Sequence, residues 1–189
     1  MKAKSPMFTE TVRTPLGTLR LAATTQGLAG VWFIGQKHEP DHSAWLPQPE
    51  QPHLRLAATQ LSAYFSQTRT TFDLPLDWTL GTPFQQSVWH ALQQIPPGST
   101  WTYQALANHL GRPQAVRAVG AAIGRNPMSI VVPCHRVVGS KGSLTGYAGG
   151  LDRKAALLQL ESALIPQSHQ SHPQTTSARY QAASEMSAH

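Results

Sequence analysis

The sequence predicts a small α/β domain over residues 1–81, a mainly α-helical domain with a helix-turn-helix over residues 82–165, and a disordered polar tail over residues 166–189. Three observations lead there. Apolar and polar residues alternate within residues 7–34, as in half-buried strands. A sharp helix-start signal stands at Thr82-Pro83, after a turn-rich stretch that reads as a linker over residues 77–83. Beyond Ile165 the chain is Gln, Ser, His, Thr and Ala, with no apolar period that could bury a core.

The elements follow in order. Leu19, Leu21 and Ala23 alternate with polar positions, and Pro15-Leu16-Gly17 and Gln26-Gly27 read as turns between strands. Leu28 to Ile34 is continuously apolar, a buried strand. Residues 35–53 are rich in Pro, His and Gln and read as a loop; its His38, His42 and His53 lack the compact spacing of metal ligands. Leu54, Ala58, Leu61 and Phe65 recur at helical spacing, so residues 54–66 are expected to be a helix. Residues 71–76 could form an edge strand, since Pro75 cannot donate to a ladder. No chemistry can be assigned within this first domain. In the second, Thr82 as N-cap, Pro83 and Gln85 form a capping box for a helix with Phe84, Val88, Leu92 and Ile95 on one face, stopped by Pro96-Pro97-Gly98. Thr102 caps a helix over residues 103–110. After Gly111-Arg112-Pro113 comes another, over residues 114–124. Val116, Val119 and Ile123 form its apolar stripe. Arg117, Gly120, Ala121 and Gly124 leave the opposite side nearly bare, which suits close approach either to a nucleic-acid groove or to another helix.

Composition narrows the function. With 40% apolar residues the chain can bury a core. Its single cysteine excludes an internal disulfide and any cysteine-rich zinc site. No apolar run approaches the ~20 residues of a membrane span, and the N-terminus lacks an apolar signal core, so a soluble cytoplasmic protein is expected. The formal charge is +6, and its excess lies in residues 82–165, with seven basic against two acidic residues. A basic excess attracts polyanions, nucleic acid foremost, though basic enzymes without such a partner exist.

That basic segment holds the lone Cys134, between Pro133 and His135, after the apolar run Ile130 to Val132 that reads as a buried strand. A thiol reacts as thiolate and needs a base or a positive neighbour. His135 can take the proton, directly or through a water. Glu161, one of two acids in the domain, follows Leu157 and Leu158 on a helix over residues 152–161. Pointing inward, it would fix the imidazole tautomer in a triad-like relay. The alternative is an inert core cysteine. In a regular strand His135 would face the opposite side, so the pair works only if Pro133 marks a break. The Gly-rich run Thr145 to Leu151 would lie close to the sulfur and offer backbone N–H groups and Tyr147 to a substrate.

Over residues 82–164 the sequence resembles the O6-alkylguanine-DNA alkyltransferases: Pro133-Cys134-His135-Arg136-Val137, the preceding Asn126-Pro127, the following Thr145 to Leu151, Lys154, Glu161, the Tyr103 helix and Arg117 stand at matched spacings. Residues 1–81 resemble, more weakly, the family's ribonuclease-H-like α/β domain. The resemblance implies that the protein binds double-stranded DNA containing O6-alkylguanine, flips the base and moves the alkyl group irreversibly to Cys134. O4-alkylthymine is a further expected substrate. His135 and Glu161 would generate the thiolate. Tyr103 would rotate the nucleotide and protonate guanine N3, with Lys154 hydrogen-bonding Tyr103. Asn126 would brace the helix-turn-helix against the active-site turn. Arg117 would fill the gap in the duplex. The small-faced helix would enter the minor groove, placing Arg117, Ala118, Gly120, Ala121, Gly124 and Arg125 at the DNA.

Pro133, Val137, Tyr147, Ala148 and Ser129 would shape the base pocket. In it the Ala148 N–H would contact O6, and the carbonyls of Cys134 and Val137 the exocyclic amine. Ser129 stands where some relatives carry proline. No cofactor is implied. No zinc is expected, because the N-terminal half lacks the cysteines that zinc-binding relatives use. A transcriptional role is not expected without a cysteine-rich activator domain. A monomer acting without an obligate protein partner is expected. The competing readings are a non-enzymatic alkyltransferase-like lesion binder, which would carry another residue at position 134; a helix-turn-helix regulator, which would carry a polar base-reading helix; and a cysteine hydrolase.

Overall fold

The structure is a computed structural model and describes residues 6–163; the tail expected over residues 166–189 lies outside them. Three antiparallel strands open the chain: β1 (Phe8–Thr14), β2 (Gly17–Ala23) and β3 (Leu28–Phe33). Pro15-Leu16 is the turn between the first two, with the Thr14 hydroxyl accepting from the Leu16 N–H and donating to the Gly17 carbonyl. The expected loop over residues 35–53 holds a short strand, β4 (Leu46–Pro47), parallel to β1, giving the sheet order β3-β2-β1-β4. At two residues and containing proline, β4 leaves no period for a sequence pattern to show.

Helix α1 (Pro52–Phe65) packs on this sheet. Gln51 caps it through the Leu54 N–H, and Pro52 occupies the first turn, where a missing N–H costs nothing. Its fully buried stripe is Leu54, Ala57, Leu61 and Tyr64, while Ala58 and Phe65 are half-buried. Leu54 and Leu61 are shared with the expected stripe, and the inward face takes Ala57 and Tyr64 in place of Ala58 and Phe65. Residues 71–76 form no strand. Only Leu76 bridges Leu28, through the Leu28 N–H to the Pro75 carbonyl and the Asp77 N–H to the Leu28 carbonyl, both at 2.8 Å.

Helix α2 (Pro83–Leu92) carries the expected capping box and ends one turn early, with Ile95 buried beyond it. A short strand β5 (Trp101–Thr102) leads into α3 (Tyr103–His109), capped by Thr102. Helix α4 starts at Val116 rather than Gln114 and runs to Gly124. β5 pairs in parallel with β6 (Val137–Val138), and α5 (Leu151–Ala163) closes the described chain.

One hydrophobic core runs through both halves, from Leu19 and Val31 in the sheet to Val88, Leu106, Val119 and Leu157 in the helices. β3 is the hinge of this arrangement. All six of its residues are buried although it lies at the sheet edge. Its free edge is covered at one end by Pro75–Asp77 and at the other by Pro127–Ser129, where the Val31 N–H reaches the Pro127 carbonyl (2.8 Å) and the Ser129 N–H the Val31 carbonyl (2.9 Å). Covering an edge satisfies its backbone groups and blocks further strand pairing. Residues 77–83 are correspondingly not a free linker: Asp77 is buried and accepts from the Thr24 hydroxyl, and Trp78 stacks on Trp89 of α2.

The middle of β3 leaves no spare volume. A Cβ on Gly30 would fall 1.7 Å from the buried Trp32 ring. Gly30→Ala is expected to lower stability by about 1–3 kcal/mol through overpacking, measured by urea unfolding, with the site below disturbed because β3 holds its turn.

Candidate active site

The apolar run before Cys134 is a buried turn, not a strand. After Met128 bridges Val31, the chain doubles back through Ser129–Val132, with Val132 N–H bonded to the Met128 carbonyl (2.9 Å) and Ile130 at φ 73°. A β-branched residue in the left-handed region costs on the order of 1–3 kcal/mol. The Asn126 amide holds the turn closed. Its Oδ1 accepts from the Met128 N–H (3.0 Å), and its Nδ2 donates to the Val132 carbonyl (2.8 Å) and to Cys134 Sγ (3.0 Å). Because Asn126 stands two residues after the end of α4, the same residue links the helix-turn-helix to the thiol.

Pro133 (φ −80°, ψ 61°) breaks the chain into a single 3₁₀ turn, Cys134–Arg136. That break lets Cys134, His135 and Arg136 all lie buried without strand alternation. His135 Nε2 and Glu161 Oε1 are 2.9 Å apart, and both side chains are wholly buried. An ionised carboxylate only accepts, so His135 carries its proton on Nε2 and presents Nδ1 as the free base; no described protein atom hydrogen-bonds Nδ1. Arg136 donates twice to Glu161, from Nε to Oε2 (2.9 Å) and Nη2 to Oε1 (2.7 Å), and once to the Ile95 carbonyl. Tyr64 of α1 adds a fourth bond, from its hydroxyl to Glu161 Oε1 (2.9 Å). The α/β domain, to which the sequence assigns no chemistry, therefore reaches the Glu161 carboxylate.

Lys154 is buried on α5 and donates to the carbonyls of Val137 and Thr145. It does not bond Tyr103. The Tyr103 hydroxyl donates to the Thr145 and Gly146 carbonyls, both at 3.2 Å, so the two side chains meet on one carbonyl. The Cys134 and Val137 carbonyls, expected to face a substrate amine, already accept from the Val137 N–H and from Lys154, which leaves each one lone pair. Ser129 is buried and donates to Gln36 of the α/β domain (3.2 Å). Tyr147 folds inward beside Gly149, where an added Cβ would meet both its ring and Phe33. The Ala148 carbonyl accepts from the Lys37 N–H (3.2 Å).

Burial sets the protonation states. It pushes the Cys134 thiol up, against the Asn126 bond and the Lys154 charge, which pull it down. Burial pushes His135 down, opposed by Glu161. Glu161 would be raised by burial, but the bonds and charges of His135 and Arg136 outweigh it and hold the carboxyl at about 2. Tyr103 is raised by burial and stays a phenol. The resting site is thus a neutral thiol beside a neutral imidazole, braced by a fixed carboxylate.

The face of α4 away from the core is open. Arg117, Ala118, Ala121 and Arg125 are exposed and Gly120 and Gly124 half-buried. A Cβ on Gly124 would meet nothing within 4 Å, and one on Gly120 only the Tyr103 ring at 3.6 Å, an ordinary contact. Packing within the described chain does not require these small residues.

The family model described as the DNA-binding domain of 6-O-methylguanine DNA methyltransferase matches residues 83–163, and that for the same family's ribonuclease-like domain matches residues 7–78. The chain belongs to the 6-O-methylguanine DNA methyltransferase family. The methylated-DNA–protein-cysteine methyltransferase of Mycobacterium tuberculosis is 47% identical over 156 residues, spanning 82% of this chain and 93% of the relative. That of Methanosarcina barkeri is also 47% identical, over 82% of this chain and 97% of its own. Among solved structures, Mycobacterium tuberculosis OGT in complex with DNA superposes with a TM-score of 0.78 at 44% identity, covering 85% of this chain and 96% of that one.

Three residues of the site escaped the sequence. Gln36 and Tyr64 lie in the half that carries no motif. Arg136 stood inside the motif and was given no role; its signal was its place beside His135, two positions from the thiol.

Glu161, with a folded value of about 2 against an ordinary 4.5, stabilises the fold fully above pH 4.5 and loses that contribution as pH falls towards 2. His135, depressed below 6.5, adds an earlier loss once pH drops under 6.5 and the unfolded chain binds the proton first. Glu161→Gln strands a buried guanidinium and should cost about 3–5 kcal/mol at neutral pH. Urea unfolding at stepped pH should show that gap narrowing below pH 4.5.

Proposed function

We propose that the protein repairs O6-alkylated guanine in double-stranded DNA by moving the alkyl group to Sγ of Cys134. It is a methylated-DNA–protein-cysteine methyltransferase, and the observation that carries the reading is the buried Cys134 thiol beside a His135–Glu161 relay, behind a bare basic helix. The name borne by its relatives agrees. The division of labour follows the domain boundary at residues 81–82, with residues 82–165 binding DNA.

The chemistry begins with the thiol proton passing to His135 Nδ1, through a bridging water. Glu161 stabilises the imidazolium that forms, and the Asn126 N–H and the Lys154 charge stabilise the thiolate. Sulfur attacks the alkyl carbon in line. The S–C bond forms as the C–O6 bond breaks, and the electron pair leaves with the guanine. Tyr103, a phenol at neutral pH, exchanges its carbonyl partners for guanine N3 and supplies the proton. Pro133, Val137, Tyr147, Ala148 and Ser129 border the space the flipped base takes. No cofactor enters, because the lesion carries the group transferred. The product is a thioether with no leaving group that water could displace, so each molecule acts once. O4-alkylthymine offers the same alkyl–oxygen bond and is a second substrate.

On DNA, the open face of α4 supports minor-groove entry, with Arg117 filling the vacated stack and Ala118, Gly120, Ala121, Gly124 and Arg125 along the backbone. The protein works as a monomer in the cytoplasm, and no described helix is long and apolar enough to cross a membrane. A lesion binder without transfer would have no use for Cys134.

Duplex DNA with a labelled methyl on guanine O6 tests this. Label should reach Cys134 at no more than one group per molecule, and none should transfer to Cys134→Ala. Repeated turnover, or label on another residue, would refute the mechanism. Gly124→Leu should keep or raise stability, because the helix gains propensity and the space is open. Its affinity for duplex DNA should fall about tenfold or more, ~1.4 kcal/mol, while transfer from the free base is unchanged.

A further inference from the structure

Tyr64 belongs to the α/β domain, yet its hydroxyl ends on the carboxylate of the relay. Its ring is accounted for by packing: it is wholly buried, edge-on to Phe65 and tilted against Phe72, each at 5.4 Å. Phenylalanine would fill that space equally well. The hydroxyl is different, because a buried O–H costs free energy unless bonded, and here its partner is Glu161 Oε1. Nor does the carboxylate need it for charge, since Arg136 already neutralises Glu161 through two bonds.

What Tyr64 does alter is the division of labour at one oxygen. Oε1 receives three donors, Tyr64 Oη at 2.9 Å, His135 Nε2 at 2.9 Å and Arg136 Nη2 at 2.7 Å, while Oε2 receives only Arg136 Nε. Each donor on an oxygen reduces its pull on the others. The positive end of the Tyr64 dipole also points at the oxygen that would stabilise an imidazolium. We infer that Tyr64 is a positioning residue for the alkyl transfer: it fixes Glu161 Oε1 against His135 and weakens that oxygen's hold on the Nε2 proton, keeping the imidazole neutral and able to accept from the thiol. The inference rests on the transfer reading above and adds to it a part for the α/β domain. The groups around the pair are Tyr64 from α1, Cys134 and Arg136 from the active-site turn, Lys154 from α5 and Tyr147 from the loop before it. Of these, only Tyr64 and Arg136 join His135 in bonding Glu161, and only Tyr64 does so without a charge.

Two variants test it in the full-length protein. Tyr64→Phe keeps the ring and removes the donor; 3-fluorotyrosine installed at position 64 alone strengthens the donor. NMR of the His135 ring gives the first readout. In Tyr64→Phe the Nε2–H resonance should move downfield and the imidazole should titrate about half a unit to one unit higher, the size expected for one neutral hydrogen bond. The fluorotyrosine should shift both the other way. The second readout is the single-turnover transfer rate against pH, whose acid limb should move with the imidazole. Should Tyr64→Phe not fold, the fluorotyrosine decides alone. Unmoved His135 resonances, or a rate lowered equally at every pH, would make Tyr64 a core residue only and overturn the inference. If the NMR shifts appear while the wild-type protein transfers no alkyl group, the transfer reading fails and the bond from Tyr64 to the relay stands.

Discussion

The buried charge of Glu161 is the constraint around which the structure is arranged. A carboxylate removed from water is costly unless its lone pairs are filled and its charge is matched. Here four donors do so, from α1, from the active-site turn and from the guanidinium that also grips the end of the segment after α2. One of those bonds, from Tyr64 to Glu161, joins residues 97 apart in the chain. The carboxylate therefore serves as a junction of the two domains as well as a part of the relay. The continuous core beneath it gives the junction a rigid seat.

Rigidity explains how a nucleophile can be kept unreactive until needed. Burial raises the Cys134 thiol and lowers His135, so neither carries charge at rest. A neutral buried thiol resists oxidation and stray electrophiles, which attack the thiolate. The groups that favour thiolate, Asn126 and Lys154, are already in place and need no movement as charge develops. That is the form of preorganisation that helps a transition state more than a ground state. The turn that presents the thiol is held from both sides: by Asn126 from the helix-turn-helix, and by β3 through Val31 and Gln36 from the sheet.

Much of this was legible in the sequence, and the remainder shares a physical reason. Local signals carried well: the Thr82 capping box, the Pro15-Leu16 turn, the continuous apolar β3 and the break at Pro133 each depend on neighbours in the chain. Two errors came from reading a short apolar run as a strand. Residues 130–132 are buried because a turn is packed under β3, whereas residues 71–76 alternate between exposed and half-buried and meet the edge of β3 only at Pro75 and Leu76; periodicity over so few residues does not separate these cases. Tyr64 was lost through a one-position error in the α1 stripe. Choosing Ala58 and Phe65 in place of Ala57 and Tyr64, with Leu54 and Leu61 common to both stripes, turns the face by about 50°, half of one residue's step on a helix, and passes over both polar groups on the inward side, Gln60 and Tyr64. Lys154 and Tyr103 were expected to bond each other, and instead both donate to the Thr145 carbonyl; no side-chain pattern marks a backbone acceptor.

The bare helix and the buried thiol obey one logic. A protein that meets a lesion at any sequence gains nothing from side chains that read base edges, and on the proposed reading α4 would present glycine and alanine where such readers would stand. Contact through backbone and small residues is sequence-blind, and flipping then tests the base itself. A damaged pair costs less to open, so selection can move from the groove to the pocket. In the pocket, selection is completed by chemistry: only a base that brings an alkyl carbon to Sγ can convert the neutral thiol into a thioether. Since nothing in the relay can break that new bond, discrimination before the transfer matters more than speed of release after it. A tightly braced, initially neutral site favours the first over the second.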